Sequence, residues 1–164
     1  MPFDYEARLA TVAGLLEDHN TTTASPDLSQ SLTTRVQNIY QNDPSFTPAR
    51  GDAYPCVYVW VMNKSERYES LGEPGPSGQL KRATVTYGLL GLHRKEGATA
   101  QHSTALTDLY RFAENIEGVF QAKHNLSDTA LWVNPAATDF GVISRDGVWI
   151  KGVMIELEAE YLFR

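Results

Sequence analysis

The sequence predicts an α+β domain: a mainly antiparallel sheet, two helices packed on one of its faces, and a long C-terminal strand. Three observations predict it. The closing stretch GVWIKGVMIELEAEYLFR alternates, with Val153, Ile155, Leu157, Ala159, Tyr161 and Phe163 on one face and Met154, Glu156, Glu158 and Glu160 on the other. That is the period of a strand half-buried against a core. Leu106, Leu109, Tyr110, Ala113, Ile116, Val119 and Phe120 follow helical spacing instead and make one apolar stripe. The order helix, strands, helix, strands suits helices segregated to one face of an antiparallel sheet.

Taken in order, Phe3, Ala7, Ala10, Val12, Ala13, Leu15 and Leu16 mark a first amphipathic helix over residues 3 to 18, after Pro2. NTTTASPDLSQS breaks that period with small polar residues and a proline and reads as a loop. RVQNIYQ fits either a strand or a helix, and the strand is preferred because the turn-rich NDPSFTPARGDAYP follows it. CVYVWVM packs β-branched and aromatic residues together, as expected of a central strand buried on both faces.

KSERYESLGEPGPSGQLKR is polar, rich in glycine and proline, and too long for a tight hairpin turn, so a protruding arm is expected over about 64–82. Strand character resumes from Ala83 to about Leu92, and RKEG turns the chain away. The long helix then spans Thr99 to about His124. Gly118 inside it costs ~1 kcal/mol relative to alanine, which predicts a close helix-to-sheet contact there. LWVNP, DFGVI and the terminal strand complete the chain, with SRDG as a hairpin turn between the last two.

The 164 residues are the size of a single domain with a core of its own, and 42% hydrophobic with 21% charged residues is ordinary globular composition. A net charge of -6 opposes a general grip on phosphate backbones, which depends on Lys and Arg displacing counterions. A lone cysteine, Cys56, excludes an internal disulfide and a thiolate cluster within one chain and points to a reducing compartment. The acidic, helically spaced N-terminus does not read as a secretory signal, and CVYVWVM is far shorter than the ~20 residues of a membrane helix. A soluble protein made in a cytoplasm is expected. Glycosylation sequons at Asn20, Asn63 and Asn125 then have no route to modification.

The residues that could carry chemistry are few. Cys56 lies in the most apolar strand, where a thiol reads as a small core side chain rather than a nucleophile. His19, His93, His102 and His124 are scattered without paired spacing, so no metal site is expected and solvated surface positions are. No serine lies in a G-x-S-x-G elbow. GEPGPSGQLK is glycine-rich, but Gln79 and Leu80 stand where a phosphate loop needs Lys and Ser/Thr, and Pro74 and Pro76 lack the N–H groups that cradle phosphate. Neither a cofactor nor a catalytic residue is assigned. The row Glu156, Glu158, Glu160 has two readings at this level: a solvated face that discourages edge aggregation, or a face turned into a space shared between subunits.

VQNIYQNDPSFTPARGDAYPCVYVWV, the polar arm with GQLKRATVTYGLLGLHRKEG, the long helix and the closing DGVWIKGVMIELEAEYLFR together resemble the tail terminator and tail-completion proteins of long-tailed bacteriophages. The resemblance runs from about Val36 to Arg164, with the first helix also fitting, while TTTASPDLSQSLTT fits least well. It implies a virion protein, assembled in the host cytoplasm, that forms a ring, commonly six-fold, on the last ring of the tail tube. Such a ring ends tube polymerisation, meets the head connector with its opposite surface, and lets DNA pass through its lumen without an enzymatic step or cofactor. A head-completion or neck adaptor is the alternative within this class, and a small enzyme using Cys56 with a histidine is the alternative outside it.

On that reading Glu156, Glu158 and Glu160 either line the channel and repel passing DNA or contact cations of a neighbouring subunit. Lys64, Arg67, Lys81 and Arg82 of the arm are the cations available. The arm itself is the expected docking segment for a partner.

Overall fold

The computed structural model describes residues 3–44, 53–68, 80–94, 102–145 and 148–163. Helix α1 (Tyr5–Asp18) is followed by strands β1 (Asn38–Tyr40), β2 (Cys56–Tyr68) and β3 (Lys81–Arg94), helix α2 (His102–Ala122), and strands β4 (Trp132–Arg145) and β5 (Val148–Phe163). The five strands form one sheet in the order β1-β2-β3-β5-β4. Only the β1–β2 pair is parallel. The α+β class and the long closing strand are therefore as predicted.

Each helix is placed by its apolar stripe. Asp4 caps α1, its carboxylate accepting the Ala7 N–H at 2.9 Å, and the helix buries Val12, Ala13, Leu15 and Leu16. In α2, Leu109, Phe112, Ala113, Ile116, Val119 and Phe120 are buried. These residues share one core cluster with Val57, Val59, Val85, Tyr87, Leu89, Val153, Ile155, Leu157, Ala159 and Tyr161 of the sheet, so both helices lie on one face. Burying each such aliphatic or aromatic side chain contributes roughly 1.5–3 kcal/mol. Inside this core the Tyr87 and Tyr161 hydroxyls bond each other at 2.7 Å, which satisfies two polar groups that burial would otherwise penalise.

The segment after α1 is a loop, as its composition predicts, and it is tied down. Leu28 and Val36 enter the core. The Ser29 hydroxyl donates to Asn20 Oδ1 at 2.6 Å and accepts the Val36 N–H at 2.9 Å. Arg35 grips Asp27 through both of its terminal nitrogens, each at 2.9 Å, and holds the Asp27 carboxyl below its ordinary range.

Several expectations are corrected. CVYVWVM does not form the middle strand: β3 does, and β2 is second in the sheet. Its burial on both faces arises because Cys56 and Tyr58 join Leu92 and Ile150 in a second apolar cluster on the face away from the helices, with Tyr40, Tyr54, Trp60 and Leu90 packed against it. Within that cluster Trp60 lies over Gly88, directly opposite it in the ladder. A Cβ at residue 88 would sit 2.5 Å from the indole, so only glycine leaves room for the ring.

LWVNP and DFGVI are not separate strands. They are one strand, β4, carried past Pro135 by an irregularity between Pro135 and Ala137, as suits proline at a sheet edge. Arg145 faces Val148 across the β4–β5 pair. The intervening residues 146–147 of the predicted SRDG turn lie outside the described residues, as do 95–101, where RKEG and the predicted start of the long helix fall.

Both ends of the predicted arm are also corrected. Lys64 to Tyr68 pair with Val85 to Lys81, so these residues are ladder, not loop. Polar residues alternate there because the hairpin end of β2 has little core to cover on either side, and a core-facing pattern was therefore never required of it. Residues 69–79, the rest of the predicted arm, lie outside the described residues.

Gly118 meets Pro26 of the loop after α1, not the sheet, and a Cβ there would sit 3.8 Å from the proline ring. That is ordinary van der Waals distance, so nothing in the packing demands glycine. Gly118→Ala is expected to stabilise the protein by up to about 1 kcal/mol through helix propensity alone, read as a higher urea midpoint with an unchanged m-value.

Candidate functional site on the outer sheet face

The candidate site is the sheet face turned away from the helices. Register places it. Glu156, Glu158 and Glu160 stand opposite Gly88, Thr86 and Thr84 of β3 and opposite Ala137, Asn134 and Trp132 of β4. The face has two halves. One is the apolar cluster of Cys56, Tyr58, Leu92 and Ile150; the other is polar and carries the acids.

The three glutamates are not equivalent. Glu160 is withdrawn from solvent, its side chain only 8% exposed, beside Arg82 at 3.0 Å and Arg67 at 3.5 Å. Its second oxygen accepts the Trp132 indole N–H. Arg67 lies directly opposite Arg82 in the β2–β3 ladder, where like charges oppose pairing. Glu160, one step along β5, supplies the counter-charge that lets the two arginines share a face. Glu156 and Glu158 are half-buried and, among the described residues, form no ion pair.

The four predicted arm cations are thereby divided between the two faces. Strand alternation sends Arg67 and Arg82 to Glu160 on the outer face. It sends Lys64 and Lys81 to the helix side, where both approach Glu66 and the Lys64 ammonium lies over the Phe3 and Tyr5 rings at 5.0 and 4.9 Å. All four are thus used within the chain, with Arg67 still 68% exposed. Trp132 is the partner that sequence reasoning did not find. Its indole reaches Glu160 only because LWVNP continues the strand of DFGVI, so that the pairing with β5 extends as far as Trp132.

The other candidates fall elsewhere. Cys56 is fully buried on the outer face, and burial pushes its thiol up to about 12. A nucleophile there would need the thiolate that burial opposes. Cys56 faces Leu92 across the ladder, and His93, the next residue, points to the opposite face.

His19 and His93 are not solvated surface residues. His19 is buried, its Nδ1 2.7 Å from the Pro26 carbonyl oxygen. His93 is mostly enclosed, with Nε2 3.6 Å from the buried carboxylate of Asp108. Asp108 also accepts the Thr33 hydroxyl at 2.7 Å, so this cluster ties β3, α2 and the loop after α1 together. His124 is exposed, and the His102 side chain lies outside the described residues. Among the described residues no group of His, Cys, Asp and Glu is arranged to hold a metal ion, and no helix is long and apolar enough to cross a membrane.

No family model matches the chain, and neither does any curated protein.

Two outcomes follow from this geometry. Glu160→Ala removes a carboxylate shared by two facing arginines and is expected to cost about 2–4 kcal/mol, at or below the ~3–5 kcal/mol of a broken buried pair because both arginines are partly exposed. Glu160→Gln, which retains an acceptor for Trp132, should cost less, and denaturant titration separates the two. Cys56 should resist thiol reagents in the folded protein and react on unfolding. Its unfolded thiol ionises near pH ~8.5, so the stability contributed by the neutral buried form is complete below that pH and falls as pH rises toward about 12.

Proposed function

We propose that the chain is a structural subunit of a long-tailed bacteriophage, forming a ring at the end of the tail tube that stops tube polymerisation and joins the tail to the head connector. The sequence resemblance motivates this reading, and one structural observation supports it. Both helices occupy one face of the sheet, while the opposite face presents Glu156 and Glu158 half-exposed and without an ion-pair partner among the described residues. A face of that kind suits the wall of a passage for DNA.

In the ring these two acids line the bore. Symmetry repeats them around it, and like charge on the polyanion and on the wall keeps DNA from adhering as it slides. Glu160 takes no part in this, because its charge is already compensated by Arg82 and Arg67. The role is one of shape and charge, without bond making.

Negative-stain imaging of the purified protein with isolated tail tubes tests the reading: a ring with a central hole seated on the tube end is expected, and tails of uncontrolled length in virions lacking the protein. Binding to portal-bearing heads but not to tubes would assign it to the neck instead. The double variant Glu156→Gln/Glu158→Gln is expected to keep its fold and its rings but to slow DNA ejection. Loss of ring assembly would show that these acids serve a subunit contact and not the bore.

A further inference from the structure

The sheet ends differently at its two sides. On one side β1 covers only Cys56 to Tyr58, so from Val59 to Tyr68 the outer edge of β2 has no strand beside it among the described residues. On the other side β4 pairs with β5 alone. The start of β4 is protected, because the Val133 N–H bonds the His124 carbonyl at 2.6 Å and Pro135 has no N–H to offer. From Ala137 to Arg145 its outer edge is open among the described residues. Long open edges carry unpaired backbone groups that pair readily with another strand.

Exposed apolar side chains occur at both edges as well as elsewhere on the surface. Met62 and Tyr68 are exposed on β2, Phe140 on β4, and Tyr110 on the neighbouring helix α2. The Tyr110 and Phe140 rings meet edge to face at 5.1 Å, so they form one patch spanning α2 and the edge strand. Charge differs between the sides. Around the open length of β4 stand Asp139, Glu114 and Glu117, the last held by the Thr138 hydroxyl, against Arg111 and, at the strand's end, Arg145. The open length of β2 carries Lys64 and Arg67 against a single acid, Glu66. Direction also matches: β2, β3, β5 and β4 alternate, so β2 and β4 run oppositely. A copy related by rotation about an axis along the strands therefore brings its β2 antiparallel to this β4.

We infer that the occupant of the β4 edge is a second copy of this chain, joined through residues 59–68 of its β2 to residues 137–145 of β4, with Phe140 and Tyr110 as the apolar anchor. The contact is heterologous, one edge against the other, and repeated contacts of that type close into a ring. This interface rests on the ring reading above and names the surfaces that build it.

The test uses two variants of the full chain, Phe140→Lys, which sets a cation against the basic β2 edge, and Met62→Glu, which sets an acid against the acidic β4 side. Each keeps one edge native, and each should retain a melting temperature within a few degrees of the unaltered protein. By sedimentation, each alone is expected to weaken self-association by about 10-fold or more, and mixing the two should restore one pairwise contact between unlike copies, seen as a heterodimer, since the native β2 of the first then meets the native β4 of the second. Hydrogen exchange on the unaltered assembly should show added protection across 137–145 and 59–68. Rings formed equally well by both variants would overturn this interface and leave the ring reading standing. An unaltered protein that stays monomeric at every concentration, with and without tube ends, would overturn both. Self-association of Phe140→Lys abolished without rescue on mixing would exclude the edge-to-edge contact.

Discussion

The β3–β5 ladder is the constraint on which the molecule depends. It runs from Lys81 opposite Phe163 to Arg94 opposite Ile150, the length of both strands, and sets which side chains of five strands face the helices. Once Val153, Ile155, Leu157, Ala159 and Tyr161 point into the core, every other residue of β5 must point out. A slip by one residue would exchange the two sets and expose the core. The acids therefore lie outside because their neighbours lie inside. β4 and β2 inherit the same division from their partners, and α1 and α2 pack where that division leaves apolar surface.

The ladder also decides how charge is distributed. Across it Arg67 meets Arg82, and the nearest compensating group is Glu160 of the third strand. One carboxylate thus serves two arginines and an indole, and β2, β3, β4 and β5 meet around it. Glu156 and Glu158, further along the same face, stand beside Gly88 and Thr86 instead and stay half-exposed. A row that is uniform in sequence is divided in space: one glutamate joins strands together, and two stay half-exposed without an ion pair among the described residues. The edges of the sheet complete the arrangement, since the two that are open among the described residues, on β2 and β4, run in opposite directions.

Several features were legible because they depend on period alone. The alternation of β5, the inward positions Leu109, Ala113, Ile116, Val119 and Phe120 of α2, the end of α1 at Asp18 and the apolar character of Cys56 to Val59 each follow from which residues recur at two or at three and four. Leu106 and Tyr110 of the predicted stripe are instead exposed, and α1 starts at Tyr5, two residues later than predicted. Others misled because composition was read without a partner strand. Lys64, Arg67, Lys81 and Arg82 looked like the base of a loop because polar residues dominate there, yet they are paired, and alternation sends them to two faces. The break at Pro135 looked like the end of a strand, but at an edge a proline forfeits no ladder bond. His19 and His93 looked like surface residues because neither belongs to a motif. Their burial comes from the loop that folds back over the end of α1 onto His19 and from α2, whose Asp108 reaches His93.

By itself the sequence determined the class of fold, the two faces of β5, and the absence of an internal disulfide, because each depends on residue type and spacing along the chain. Only the tertiary structure decided that β3 and not β2 lies at the centre, that Gly118 packs on Pro26, that Trp132 and two arginines close on Glu160, and which edges stay open. Those facts depend on which strand lies beside which. The free energy of such pairing is gained between segments far apart in the chain, where no local period records it.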